Sequence, residues 1–117
     1  MNRDKNLPLT ETVYYVLLAL YEPGHGYAIM KRVEELSSGQ VRLAAGTMYG
    51  AIENLLKKGL ITALESGDPR RKVYAVTQMG RDVLKADCER MRALVGLTER
   101  VLEGGFADEA HENVLSF

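Results

Sequence analysis

Residues 46–61, GTMYGAIENLLKKGLI, decide how the rest of the chain is interpreted. Met48, Ile52 and Leu55 recur with the 3.6-residue period of an α-helix and predict a buried face. Gly59 follows two lysines, at the place where a glycine commonly ends a helix. The opposite face is polar and carries Thr47, Gly50, Glu53, Asn54 and Lys57, with Tyr49 on its flank. The stretch therefore predicts a short amphipathic helix with a polar outer surface.

Downstream of this helix the apolar period changes from 3.6 to 2 residues. Residues 60–65 and 72–76 predict two short strands, and the Ser-Gly-Asp-Pro sequence at 66–69 predicts the turn between them. Thr77 is expected to cap a long final helix that ends at residues 104–105, which are both glycines. The stretch predicts a β-hairpin followed by a helix.

Two further helices are predicted upstream. The first is capped by Thr10, contains the apolar run 13–21 and ends at Pro23-Gly24. The second covers about residues 26–37, with an apolar stripe of Ile29, Val33 and Leu36. Because the run 13–21 is apolar on every side, the first helix should be buried all round. A chain of 117 residues has difficulty enclosing such a helix, which indicates a partner subunit.

The order helix, helix, helix, hairpin, helix predicts a mainly α (α+β) fold. More specifically, this order predicts a winged helix-turn-helix with a two-stranded wing and a C-terminal dimerisation helix. The expected domains are residues 1–76 for DNA binding and 77–104 for dimerisation, with 105–117 as a flexible tail. Since two glycines end the last helix, we expect no further regular structure after it.

The last helix carries two apolar stripes and therefore has two surfaces to cover. Leu84, Cys88, Met91, Val95, Thr98 and Leu102 follow the 4-3-4-3-4 spacing of a coiled-coil seam. With the first helix included, the predicted dimer surface consists of Val13, Leu17, Leu84, Cys88, Leu94, Leu97, Val101 and Leu102. A gap where the helices of a dimer cross is expected to hold a small apolar or aromatic effector against Leu84, Met91 and Val95. The alternative is a constitutive regulator whose last helices pack tightly.

The net charge of −1 conceals an uneven distribution. Residues 31–72 hold eight Lys or Arg against five Asp or Glu, a local charge of +3, and residues 73–117 hold five against eight, a local charge of −3. The basic segment contains the polar helix and the hairpin, as expected of a nucleic-acid binder. An ordinary solvated mixture of charges would give the same numbers.

Composition also restricts the chemistry. Cys88 is the one cysteine and cannot form an intramolecular disulfide, which suits a reducing, cytoplasmic location. The nine-residue apolar run 13–21 is far shorter than the roughly 20 residues that span a bilayer, so no membrane partner is expected. One cysteine with His25 and His111 cannot make a Cys/His zinc cluster, and no phosphate loop follows Gly24-x-Gly26. We expect no enzyme activity, catalytic residue, metal or cofactor.

The third helix and the hairpin together suit a DNA duplex. A short amphipathic helix fits a major groove about 12 Å wide, and three cations near the hairpin turn can reach phosphates. The predicted DNA-binding residues are Thr47, Tyr49, Gly50, Asn54, Lys57, Arg70, Arg71 and Lys72. Each feature alone has a simpler explanation: a solvated turn, lysines that satisfy a helix dipole, or a half-buried tyrosine. Their arrangement in one compact unit favours DNA binding.

Three ordered motifs resemble the PadR family of transcriptional regulators. Residues 46–61 are similar to its recognition helix, and residues 26–32, GYAIMKR, to its second helix. Residues 69–77, PRRKVYAVT, with Gly80 after them, resemble its wing and the start of its last helix. The resemblance covers about residues 10–103. A short chain with a single C-terminal helix is similar to the smaller subgroup of the family.

The resemblance implies a two-fold dimer whose last helices pack against the partner's first and last helices. It implies a repressor, released by a small molecule, that binds a pseudo-palindromic operator in double-stranded DNA. By motif position Tyr49 contacts the DNA backbone, and Arg70 and Arg71 form the basic wing. The chain departs from the family at residues 53–54, Glu-Asn in place of a common basic residue, and Asn54 could read an adenine edge instead. Gly50 and Leu56 replace a usual proline or alanine and a usual acid.

A winged-helix adaptor that binds proteins without touching DNA is the alternative. The two functions differ in their response to salt. Binding through phosphates weakens steeply as salt rises, whereas an apolar protein interface hardly changes.

Overall fold

The computed structural model describes residues 4–105. Its elements are α1 (Glu11–Ala19), α2 (Gly26–Leu36), α3 (Ala45–Lys57), β1 (Ile61–Leu64), β2 (Val73–Val76) and α4 (Gln78–Leu102). The predicted mainly α fold, a winged helix-turn-helix with a two-stranded wing, is confirmed. The predicted tail, residues 105–117, lies outside the described residues except for Gly105. Among residues 4–105, no helix is long and apolar enough to cross a membrane.

The described chain forms two compact units, residues 4–85 and 86–105. The predicted domains divide the chain before α4, at residues 76/77, whereas the compact units divide it within α4. The first two turns of α4 belong to the first unit because Val83 and Leu84 are buried in its core.

α1 begins as predicted and ends earlier. The Thr10 hydroxyl accepts a hydrogen bond from the Val13 amide at 3.1 Å, which caps the helix. The helix stops at Ala19 instead of at Pro23-Gly24. The Arg32 guanidinium, on α2, donates to the carbonyl oxygens of Ala19, Glu22 and Pro23 at 2.8–3.2 Å. Arg32 thus satisfies the carbonyls of a non-helical turn, which the local sequence does not reveal.

One protomer buries α1 on one side. Val16, Leu17 and Ala19 are buried in the core of the first unit. The side chains of Tyr14, Tyr15 and Leu18 are half-buried on the other side of the helix. Within residues 4–105 of a single protomer α1 is therefore partly buried, and its all-round burial with the help of a partner subunit stays a prediction.

α2 buries only part of its predicted stripe. Ile29 and Val33 are fully buried, as expected, but Leu36 is 52% exposed. The next residue, Ser37, is buried instead, and its hydroxyl accepts the Val41 amide at 2.9 Å. Leu36 lies in the last turn, where the chain turns away through Ser38 at a positive φ of 53°. The helical period therefore does not predict which residue is buried at the end of α2.

α3 matches its prediction closely. Met48, Ile52 and Leu55 are buried, and Gly59 follows the helix with a φ of 73°, a conformation that glycine adopts without strain. The wing follows immediately. β1 and β2 pair antiparallel, with Ile61 opposite Val76. Because Gly59 ends α3 and β1 begins two residues later, the wing follows α3 directly.

β2 also attaches the wing to the turn between α1 and α2. Gly24 and Tyr74 exchange two backbone hydrogen bonds of 2.9 and 3.0 Å, and the Val76 amide donates to the Leu20 carbonyl at 3.0 Å. The edge of the small sheet is thereby paired along part of its length, which couples the wing to the helices.

The start of α4 packs closely on the end of α3. The Thr77 hydroxyl donates to the Gly59 carbonyl at 2.7 Å and accepts the Gly80 amide at 3.1 Å, so Thr77 caps α4 as predicted. Gly80 faces the backbone of Leu60: a Cβ built at Gly80 would lie 2.2 Å from the Leu60 carbonyl oxygen. Only a glycine fits at this position without displacing backbone.

The second unit consists of the later turns of α4. Asp87 is buried, and one of its carboxylate oxygens accepts from Nε of Arg90 at 2.6 Å. Large apolar residues that are 41–80% exposed follow: Leu94, Val95, Leu97, Val101 and Leu102. These residues carry the two predicted stripes.

Candidate nucleic-acid interface

The outer face of α3 is exposed as predicted. Thr47, Gly50, Asn54 and Lys57 all face solvent, and Tyr49 is 55% exposed. Ala44 precedes the helix and supplies no side-chain cap. The small residues on this face let another molecule approach the helix backbone closely.

Tyr49 lies against the start of α2. A Cβ built at Gly26 would come within 2.8 Å of the Tyr49 hydroxyl oxygen, so the phenol occupies the space that the glycine leaves. Tyr74 of β2 is close by. Burial raises the pKa of the Tyr74 phenol above its usual value of 10.0, and the neighbouring Tyr49 raises it further. Tyr49 therefore lies where α2, α3 and the wing strand approach one another.

Asn54 and Lys57 have different surroundings. Asn54 lines a small cavity of about 120 Å³ with Asn6, residues 8–10 and Lys58, on the flank of α3. Lys57 lies 3.8 Å from the carboxylate of Glu53, one turn earlier, and both side chains are largely exposed. Such an exposed pair is weak, so the Lys57 ammonium can exchange its partner for a phosphate at little cost.

The turn of the wing is ordered by short polar side chains. The Ser66 hydroxyl contacts the Arg71 carbonyl and accepts the Asp68 amide at 3.2 Å. The Asp68 carboxylate accepts the Arg70 amide at 2.9 Å, and Gly67 has a φ of 80°. The loop that carries the cations therefore has a defined backbone although it projects from the domain.

The wing cations are free to meet an anion. Arg70 is 91% exposed, and its guanidinium lies 3.8 Å from the Asp68 carboxylate, which is a loose pair. Arg71 and Lys72 are exposed and have no ion-pair partner among residues 4–105. The structure thus leaves three cations exposed on the loop between β1 and β2.

A model of the transcriptional regulator PadR-like family matches residues 15–86, well over half of the chain. The chain belongs to the PadR-like family. It is therefore a PadR-like transcription regulator, and this family consists of regulators rather than enzymes.

Structures of PadR-like and related proteins share the fold. RosR of H. salinarum (vng0258) has 29% sequence identity and a TM-score of 0.66, covering 92% of this chain and 98% of that chain. A PadR family transcriptional regulator of Eggerthella lenta DSM 2243 has 29% identity and a TM-score of 0.64, covering 78% and 80%. The fold described above is therefore a known regulator fold.

A sequence relative is much longer than this PadR-like chain. An uncharacterized 37.1 kDa protein in transposon TN4556 of Streptomyces fradiae is 38% identical over 95 residues. The match covers 80% of this chain and 26% of the relative, so the chain spans about a quarter of that protein.

The structure corrects two residues of the predicted dimer surface. Leu17 has no exposed surface and Leu84 is only 5% exposed, because both belong to the core of the same protomer. Neither side chain is available to a partner, and Leu84 cannot line a gap between protomers. Val13 is half-buried and lines the small cavity beside Asn54.

The other predicted residues of α4 are on its surface. Leu94, Leu97, Val101 and Leu102 are exposed, as is Val95, whereas Cys88 and Met91 are half-buried. Their roles in dimerisation and effector binding stay predictions. Among residues 4–105, no group of three or more His, Cys, Asp or Glu side chains could hold a metal ion.

Sequence reasoning assigned no role to two exposed residues of α2. Tyr27, in the first turn of α2, is 71% exposed, and Lys31 is exposed one turn later. The motif around Tyr27 identified the helix. The helical period of α2 indicates the exposure of both residues, because Tyr27 and Lys31 lie opposite the buried Ile29.

Proposed function

We propose that this PadR-like regulator binds double-stranded DNA sequence-specifically, with α3 in the major groove and the wing on the sugar–phosphate backbone. The observation that supports this most is the exposure of two neighbouring elements of the first unit. The polar face of α3 is in solvent, and so are three cations of the wing, Arg70, Arg71 and Lys72.

The dimensions of α3 agree with this role. The 13 residues of α3 make a rod about 20 Å long, and its outer face is built from small and polar side chains. A groove about 12 Å wide admits such a helix. Thr47 and Asn54 can hydrogen-bond base edges, and the Tyr49 hydroxyl and Lys57 can donate to phosphates. The wing then adds cations that contact phosphates and therefore bind DNA of any sequence equally.

We propose that the protein acts as a homodimer through α4. The exposed stripe from Leu94 to Leu102 is unusual for a surface helix, since large apolar side chains on consecutive turns indicate an interaction site. A two-fold dimer would bind a pseudo-palindromic operator with its two α3 helices about 34 Å apart, one turn of DNA.

Repression and release by an effector complete the proposal. A dimer seated on an operator excludes other proteins from that DNA, and its two α3 helices must keep their spacing to bind. A small apolar or aromatic ligand held by Met91 and Val95 would change that spacing, and methionine adapts readily to such ligands. Because coupling is reciprocal, the ligand must bind free dimer more tightly than DNA-bound dimer. We place this activity in the cytoplasm, where the DNA is.

The test is the salt dependence of DNA binding. A fluorescein-labelled 40-base-pair duplex of mixed sequence is titrated with protein between 50 and 200 mM salt. We expect affinity to fall steeply, with a slope of about −0.9 for every phosphate neutralised. The variant Arg70→Ala/Arg71→Ala should flatten the slope by one to two units, and the control Lys85→Ala, on α4, should leave it unchanged. A flat slope in the wild type would refute DNA binding and favour the protein adaptor.

A further inference from the structure

The turn between α1 and α2 is built around the side chain of Arg32. Its guanidinium donates to the carbonyl oxygens of Ala19, Glu22 and Pro23 at 2.8–3.2 Å. Gly24 leaves the space that the guanidinium needs, because a Cβ built there would lie 2.6 Å from one of its terminal nitrogens. One side chain of α2 thus fixes the backbone of the whole turn.

The same turn holds the wing. Gly24 and Tyr74 of β2 exchange two backbone hydrogen bonds of 2.9 and 3.0 Å. The Val76 amide donates to the Leu20 carbonyl at 3.0 Å. Of these bonds, those of Tyr74 lie nearest the loop that carries the cations, because Tyr74 follows Lys72 by two residues. A displacement of Gly24 therefore moves the strand from which the cations project.

The wing is a small sheet that depends on its neighbours. Its two strands pair over four residues each, from Ile61 opposite Val76 to Leu64 opposite Val73. A two-stranded hairpin is marginally stable by itself. The hydrogen bonds to the turn therefore contribute to where the wing lies relative to α3.

We propose that Arg32 is a positioning residue for DNA binding. It binds the carbonyls of the turn, the turn holds β2 through Gly24, and β2 determines where the wing cations meet phosphates. This inference rests on the proposed function and adds a residue that acts through the wing, without a phosphate contact of its own. The wing and α3 then reach the same duplex together.

The turn requires the geometry of the guanidinium more than its charge. Two terminal nitrogens of a planar fork bind three carbonyls of residues 19–23, which the single nitrogen of a lysine cannot reproduce. The Glu22 carboxylate lies 3.9 Å from the guanidinium and is 86% exposed, so this ion pair adds little. Arg32→Lys therefore removes the geometry and keeps the charge.

Gly24→Ala disturbs the same contact from the other side. Its methyl group would lie 2.6 Å from the guanidinium nitrogen. Since the end of a long side chain gives way more easily than backbone, the Arg32 guanidinium is displaced from the carbonyls. All charges are again retained.

The experiment titrates the labelled 40-base-pair duplex with Arg32→Lys and with Gly24→Ala over the same range of salt. We expect each variant to weaken binding about 10-fold, equivalent to one lost hydrogen bond to a charged group at the wing. The salt slope should flatten by about one unit, because a displaced wing neutralises fewer phosphates. Neither variant changes the net charge of the protein, so the change in slope reports the position of the wing.

A double-mutant cycle shows whether Arg32 acts through the wing. In the background Arg70→Ala/Arg71→Ala, Arg32→Lys should weaken binding by less than about 2-fold further, because changes that act through one element do not add. The matched control is Arg42→Lys, at an exposed arginine whose Nε pairs with the Glu34 carboxylate at 3.0 Å. It should bind like the wild type.

Hydrogen exchange measures the attachment of the wing directly. The amides of Gly24 and Tyr74 donate to each other's carbonyl oxygens and should exchange about 10-fold faster in Arg32→Lys. The amides of the buried Ile52 and Leu55 in α3 should keep their protection. A general loss of stability would instead speed the exchange of both sets, which would contradict a positioning role.

The outcomes separate this inference from the proposed function. Wild-type affinity and slope in Arg32→Lys and Gly24→Ala would overturn the inference, and so would an equal loss with and without Arg70 and Arg71. The proposed function would stand in both cases, since it is judged on the wild type and on Arg70→Ala/Arg71→Ala alone. A wild type without salt-dependent binding would refute the proposed function and this inference with it.

Discussion

Gly80→Ala should destabilise the protein strongly, because the new methyl group has no room. The Cβ would lie 2.2 Å from the Leu60 carbonyl oxygen and 2.7 Å from a Val76 methyl group. The oxygen belongs to backbone that also accepts the Thr77 amide at 3.0 Å. Relief of the clash therefore requires α4 and the end of α3 to move apart.

The magnitude follows from these distances. The methyl group needs about 1 Å more space, and overpacking of a tight site costs about 1–3 kcal/mol, occasionally more. Since the obstacle is backbone, we expect about 3 kcal/mol, less the roughly 1 kcal/mol that alanine gains over glycine in a helix. A net loss of about 2 kcal/mol lowers the melting temperature by about 8 °C in a domain of this size.

The assay is urea unfolding followed by circular dichroism at one fixed protein concentration. The control is Gly96→Ala, also in α4, where a Cβ would meet no atom within 4 Å. That control should gain up to about 1 kcal/mol from helix propensity alone. Equal stabilities of Gly80→Ala and Gly96→Ala would refute the close contact between α4 and Leu60.

Three further predictions concern stability and assembly. Thr77→Ala should lower the free energy of unfolding by about 1–2 kcal/mol, because the α4 cap and the bond to the Gly59 carbonyl are lost; Thr77→Ser should recover most of it in urea unfolding. Tyr74 has a raised pKa in the folded protein, so its contribution to stability is complete below pH 10.0 and is lost as the pH rises through the folded pKa. Phenylalanine carries no hydroxyl to titrate. The free energy of unfolding of Tyr74→Phe, compared with that of the wild type, should therefore be higher above pH 10 than at pH 7. Leu97→Asp places a charge in the exposed stripe of α4 and should give a monomer in sedimentation velocity where the wild type is a dimer; a monomeric wild type would contradict the proposed dimer.

The sequence predicted the elements that are specified over a few residues. α3 was predictable because three apolar residues share one face and a glycine follows at positive φ. The caps at Thr10 and Thr77 were predictable because a hydroxyl reaches only the amides of the following turn. The hairpin followed from its turn residues.

The sequence could not predict features that depend on distant partners. α1 ends at Ala19 because Arg32, thirteen residues away, binds the carbonyls that follow. Leu17 and Leu84 were assigned to a partner subunit because periodicity shows that a side chain is buried but not which chain covers it. The close approach of Tyr49 to Gly26 was not predictable because it arises only when α2 packs on α3.

The most direct test of the central claim is selection of bound duplexes from a library with 30 randomised base pairs, using the full chain. We predict enrichment of one sequence with two-fold symmetry, whose half-sites are centred about one helical turn, roughly 10 base pairs, apart. This spacing follows from two α3 helices in successive major grooves. Recovery of an unenriched library, or of a single half-site without symmetry, would contradict a dimeric, sequence-specific DNA-binding regulator.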